Sequence, residues 1–236
     1  MKAIAIGTYY ETLTFLRVKK AVFFTFIFPC FIYILFSMIW GNGEPEYCQF
    51  LLTGTAMMVT ASDAIFSIGS IVVGYFHGGM SKFLKSIPNG FIVHMTSMIL
   101  SRLLIIAVAV LLVPIVAAIK DGYQPSVENI LLLLAGALLN AIIFSLISIV
   151  AAAFAKETSS YTSILNIVLY ASLFVSDTFY PLSELNPKLG AVAQLNPISP
   201  SISLARTGQF SFIAIGWILL CIIIMLVRNP LKQKGR

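Results

Sequence analysis

At 236 residues, 59% hydrophobic and only 10% charged, the chain cannot cover a soluble domain, whose surface takes about 25% charged residues. The same apolar excess excludes disorder. What remains is one polytopic all-α membrane domain over residues 1–236, and the net charge of +6 is read through its distribution between loops, not as a sign of nucleic acid.

Residues 1–20 place Ile6, Tyr9, Tyr10, Leu13 and Leu16 on one helical face and end on Arg17, Lys19 and Lys20. This predicts an amphipathic helix along the inner membrane surface, where tyrosines favour the interface and the basic end meets anionic headgroups. Interspersed charges and the lack of a small-residue cleavage site argue against a signal peptide. Six apolar segments follow, at about 21–40, 50–75, 91–119, 127–155, 161–179 and 210–227. They are expected to be helices, because unpaired backbone groups cannot face lipid and the lengths exceed barrel strands. Pro29 and Pro114 are expected to kink two of them.

Eleven basic residues fall in one set of loops and three in the other, with Arg102 inside the third segment. The positive-inside bias then puts both termini in the cytoplasm. Cys30, Cys48 and Cys221 are scattered in or beside apolar runs and form neither a disulfide framework nor a metal cluster.

Catalytic signatures are missing. No G-x-x-x-x-G-K-[ST], H-E-x-x-H or G-x-S-x-G occurs, and His77 and His94 have no carboxylate close in sequence. Two charges stand out within the apolar segments: Asp63 in the second and Arg102 in the third, expected at similar depth. They are a candidate pathway-lining pair; the alternative is an Asp bonded into the bundle and an Arg snorkelling inward. Asn140, Asn166 and Asp177 are expected to join helices.

Two loops carry more pattern. The inner loop after the second segment runs through Gly78-Gly79, Lys82-Phe83-Leu84-Lys85 and Pro88. A glycine pair, a short basic-apolar helix and a proline stop predict a compact projection suited to docking a protein, or else an ordinary basic loop. The last outer connection, Tyr180 to Gln209, is long and apolar, with Tyr180-Pro181 and Asn196-Pro197 breaking it into short pieces. That pattern predicts a segment that dips into the outer leaflet and returns.

In the order and spacing of these loops the chain resembles the membrane subunit of type-2 ABC exporters, the ABC-2 permeases. Gly79, Lys82, Lys85 and Ile87-Pro88 match the family's inner loop, whose preceding acidic residues are here Tyr75-Phe76-His77-Gly78. Tyr180-Pro181, Asn196-Pro197 and Arg206 match its later signature. The resemblance implies a permease without its own ATPase and with no cofactor of its own, ATP and Mg residing on a partner ATPase subunit. It also implies a second permease copy, identical or homologous, and ATPase docking through Gly78, Gly79, Lys82, Phe83, Leu84, Lys85 and Pro88. The expected setting is a bacterial cell membrane, and the expected activity is export of an amphipathic or hydrophobic substrate such as a drug or antimicrobial peptide. Export of a glycan or lipid-linked molecule, or a six-span secondary transporter, are the alternatives.

Overall fold

The computed structural model describes residues 2–40, 45–77, 80–155 and 158–228, with only the backbone given for Trp40, Pro45, Phe76, His77, Ser81, Lys82, Thr158 and Ser183. Among the described residues every regular element is helical. Helix α1 (Lys2–Arg17) ends where Val18 leaves helical geometry at φ −87°, ψ 87°. Helix α2 then runs as Lys19–Val22, a π-helical turn at Phe23–Ile27, and Phe28–Trp40. Helix α3 repeats the pattern: Pro45–Asp63, a second π-helical turn at Ala64–Gly69, and Ser70–His77. The remaining helices are α4 (Met80–Ser86), α5 (Gly90–Asp121), α6 (Val127–Ala151), α7 (Thr158–Phe174), the short α8 (Leu182–Leu185), α9 (Pro187–Leu195) and α10 (Ser199–Thr207), and α11 (Ile213–Arg228).

Lys19–Ile39, Glu46–Tyr75, Gly90–Asp121 and Val127–Ala151 are long and apolar enough to cross a membrane. Ser159–Phe174 and Ile213–Arg228 are apolar but shorter; the 16 residues of α11 make about 24 Å at 1.5 Å per residue. Helix α3 is the axis of the bundle. Leu51, Leu52, Ala56, Met57, Ala61, Ala64 and Ile65 are all buried, and α2, α5, α6 and α10 surround them. At Gly54 a Cβ would overlap the carbonyl of Thr178, so only glycine allows this approach. Asn140 on α6 donates from Nδ2 to Met57 O at 2.8 Å, joining α6 to α3 as expected of an intramembrane Asn.

Three sequence boundaries are corrected. The fifth apolar segment stops at Phe174, not 179, because side chains take the carbonyls that would continue it. Asn196 Nδ2 donates to Ser172 O and Val175 O, and Tyr180 Oη donates to Phe174 O. Asp177 therefore lies beyond the helix, where its Oδ1 accepts the Leu182 amide at 2.9 Å and orders the start of α8. The fourth segment ends at Ala151, followed by turns, and the sixth begins at Ile213, not 210.

The π-helical turns have identifiable causes. Pro29 has no N–H for the Thr25 carbonyl and its ring would crowd that oxygen. The ladder slips by one residue ahead of it, Phe28 N donating to Phe23 O. In α3 the Ser70 amide donates to Ile65 O. The same carbonyl accepts Ser148 Oγ of α6 at 2.9 Å, and Tyr161 Oη meets Ser148 Oγ at 2.8 Å.

Candidate functional site

The two wide turns each bring a hydroxyl-bearing residue to the same cavity. Thr25, in the α2 turn, and Ser67, in the α3 turn, both donate to Oδ1 of Asp63, at 3.5 and 2.9 Å. Asp63 is 6% exposed, and its second oxygen, Oδ2, has no hydrogen-bond partner. The carboxylate lies on a cavity of about 390 Å³ between α2, α3 and α7. The cavity wall is mostly apolar and aromatic: Phe15, Phe24, Phe28, Met58, Phe66, Leu169 and Tyr170, with Ser62 also lining it. Its rim is open to the outside of the bundle, since Phe24 and Tyr170 are exposed. π-Helical turns concentrate at functional sites, where an inserted residue re-aims side chains. Here both turns aim hydroxyls at one carboxylate.

Asp63 and Arg102 occupy the same neighbourhood but do not form the direct pair that their depths suggested. The Arg102 guanidinium sits over the Phe15 ring, 4.7 Å from its centroid, and its Nη1 is buried without a partner. Among the described residues no salt bridge joins it to Asp63. The reason is α1, which folds back along α5 and inserts Phe15 beside the arginine. Ser97 Oγ donates to Ile4 O, Thr12 Oγ1 meets Ser101 Oγ at 2.9 Å, and Glu11 approaches His94 to 3.8 Å. His94 thus does have a carboxylate neighbour, supplied from a distant part of the chain.

Helix α1 presents its polar face to the protein and its apolar face outward: Ile6, Tyr9, Tyr10 and Leu16 are exposed, Leu13 is half-buried, and Arg17, Lys19 and Lys20 are exposed at the end. At the inner loop, Gly78 and Gly79 lie outside the described residues, as does the Lys82 side chain. Phe83 is 61% exposed, whereas Leu84 is 8% exposed and packs into its own chain. Leu84 therefore lies off the exposed face, whose apolar stripe is Met80, Phe83 and Ile87. Lys85 Nζ lies 5.4 Å from the Phe91 ring, and Pro88 is exposed beside it.

The outer segment is more tightly organised than its sequence suggested. Arg206 on α10 donates from Nε to Thr53 Oγ1 at 2.8 Å and from Nη2 to Phe50 O at 2.9 Å, with its guanidinium 3.7 Å from the Phe50 ring centroid. Asn196 also accepts the Ile198 amide on Oδ1, turning the chain ahead of α10. Tyr180 and Pro181 lead into α8, and Pro197 follows Asn196 in the turn before α10.

Sequence reasoning missed Thr25, Ser67 and the aromatic wall. A usable signal was present: Pro29 stands four residues after Thr25 in a helix that must bend its ladder around it.

No curated protein sequence matches the chain. The family model for the ABC-2 type transporter matches residues 3–210, a stretch that takes in α1, the inner loop, the Asp63 cavity and the Arg206 segment. The chain belongs to the ABC-2 type transporter family, as a multi-pass membrane permease of the kind that works with an ABC ATPase subunit.

Proposed function

We propose that the chain is the membrane half of an ATP-driven exporter that moves an amphipathic or hydrophobic molecule, such as a drug or antimicrobial peptide, out of the cytoplasm. The observation that carries this reading is the cavity of about 390 Å³ between α2, α3 and α7, apolar in its walls and open at the rim. Small-molecule sites have this size and lining. In this reading α7 and α11 cross the membrane as the fifth and sixth spans, shortened because α8–α10 fill the outer leaflet beside them. Both termini face the bacterial cytoplasm, in keeping with the basic residues of the inner loops. Helix α1 lies along the inner surface with Tyr9 and Tyr10 toward the headgroups.

The power stroke comes from the separate ATPase subunit, which holds ATP and Mg. Met80, Phe83 and Ile87 of the α4 region form the apolar contact with it, and Lys82 and Lys85 lie at the rim of that contact. A second permease copy faces the first across the open side of the cavity. Membrane vesicles containing the permease and its ATPase should take up an amphipathic fluorescent probe only when ATP is hydrolysed. Uptake driven by a proton or sodium gradient without ATP would turn the reading toward a secondary transporter. Native mass spectrometry should find two permease chains per particle, and a functional particle with one would remove the shared route.

A further inference from the structure

We infer that the Asp63 cavity is a binding site for a hydrophobic organic cation, with the carboxylate as counter-charge and the aromatic wall as its cage. The inference rests on the export reading for its biological use, but the site itself is argued from geometry. Asp63 is buried, and only one of its two oxygens is satisfied, by Ser67 and Thr25. Oδ2 has no donor. A carboxylate with one oxygen unpaired in an apolar site is costly to hold in its ionised form, and a cation entering the cavity beside it would offset that cost. Arg102 does not supply that cation, because it is held over Phe15 and makes no salt bridge to Asp63.

The surroundings select the kind of cation. Phe15, Phe24, Phe28, Phe66 and Tyr170 line the same space, and aromatic faces attract cations most strongly where water is excluded. A metal ion does not fit this chemistry: among the described residues no group of three or more His, Cys, Asp or Glu side chains converges anywhere. A bulky, delocalised or quaternary cation matches both the apolar wall and the single carboxylate.

The test uses the purified full chain and two probes of like shape and opposite charge, tetraphenylphosphonium and tetraphenylborate. Tetraphenylphosphonium should bind the wild type, and Asp63→Asn should weaken it at least tenfold while Asp63→Glu keeps the preference for the cation. Tetraphenylborate should bind the wild type at least tenfold more weakly than its cationic counterpart. Equal binding of the two probes, or an Asp63→Asn variant that binds the cation as well as wild type, overturns the inference. A measurement on the unmodified chain guards against misfolded variants: carbodiimide labelling of Asp63, read by mass spectrometry, should be blocked by tetraphenylphosphonium and not by tetraphenylborate. Labelling that the cation leaves unchanged also overturns it. The export reading fails separately. If the cation binds through Asp63 but ATP drives no uptake into vesicles with the ATPase, export falls and the site stands. If a neutral amphipath is exported while the cation does not bind, the reverse holds.

Discussion

Arg206, half-buried, and Asp63, buried, are both charges on or against α3, and they are treated in opposite ways. Arg206 spends its donors on Thr53 and Phe50 O and lays its plane against the Phe50 ring. Asp63 has one oxygen satisfied and the other bare, at the edge of a cavity. A charge with two donors and its planar face engaged on a neighbouring helix ties the two helices in one arrangement. One left half-engaged keeps a favourable interaction in reserve for something that is not part of the fold. The segment around Arg206 accordingly acts as a latch, and the Asp63 cavity is where the proposed ligand would sit.

The contrast can be broken most forcefully at the latch. Arg206→Ala should lower stability by about 3 kcal/mol, since charged hydrogen bonds contribute roughly 1.5–3 kcal/mol and cation–π contact adds to them; thermal unfolding in detergent reads this. Asn196→Ala frees the carbonyls of Ser172 and Val175 and should cost about 1–2 kcal/mol in the same assay. If either variant is as stable as wild type, α8–α10 are not held as described. Asp63→Asn should change unfolding by less than about 1 kcal/mol, because it removes an incompletely paired charge, while ATP-driven flux falls severalfold. A loss of stability as large as that of Arg206→Ala would make Asp63 part of the latch. Phe83→Ala, on the exposed side of α4, should alter stability by no more than about 0.5 kcal/mol yet reduce co-purification of the ATPase subunit. Retention of the ATPase at wild-type levels would remove α4 from the docking surface.

Much of the helical layout was legible because it follows from composition. The apolar runs around Phe31, Ile105 and Leu133 are too long for strands, and Gly122 and the prolines mark where they stop. The outer latch was legible only as punctuation: Asn196-Pro197 and Arg206 were visible, but not that Asn196 ends α7 or that Arg206 reaches back to α3, contacts of 21 to 156 residues in sequence. The cavity was hidden for a different reason. Asp63 was conspicuous, yet its partners Thr25 and Ser67 look like small residues in spans: Ser67 lies four residues on along the same helix, while Thr25 reaches the carboxylate from α2, 38 residues away in sequence. Arg102 misled for a third reason, since depth along two helices does not say what a third chain segment, here Phe15 of α1, inserts between them.

The α3 turn also sets the sense of that helix's C-terminal end. A π-helical turn accommodates one residue more than the α-helix it interrupts, and successive residues of an α-helix are about 100° apart around the axis. Ser70–His77 is therefore rotated by that amount relative to an uninterrupted continuation of Pro45–Asp63. Removing one residue from Ala64–Gly69 would restore a regular ladder and leave Asp63 facing its cavity. It would also swing Val73, which packs on Ile149 and Ala152, toward a different neighbour. The N-terminal part of α3 and its C-terminal end are in this way set independently, and a single inserted residue decides which side of the helix leads toward the segment bearing Phe83.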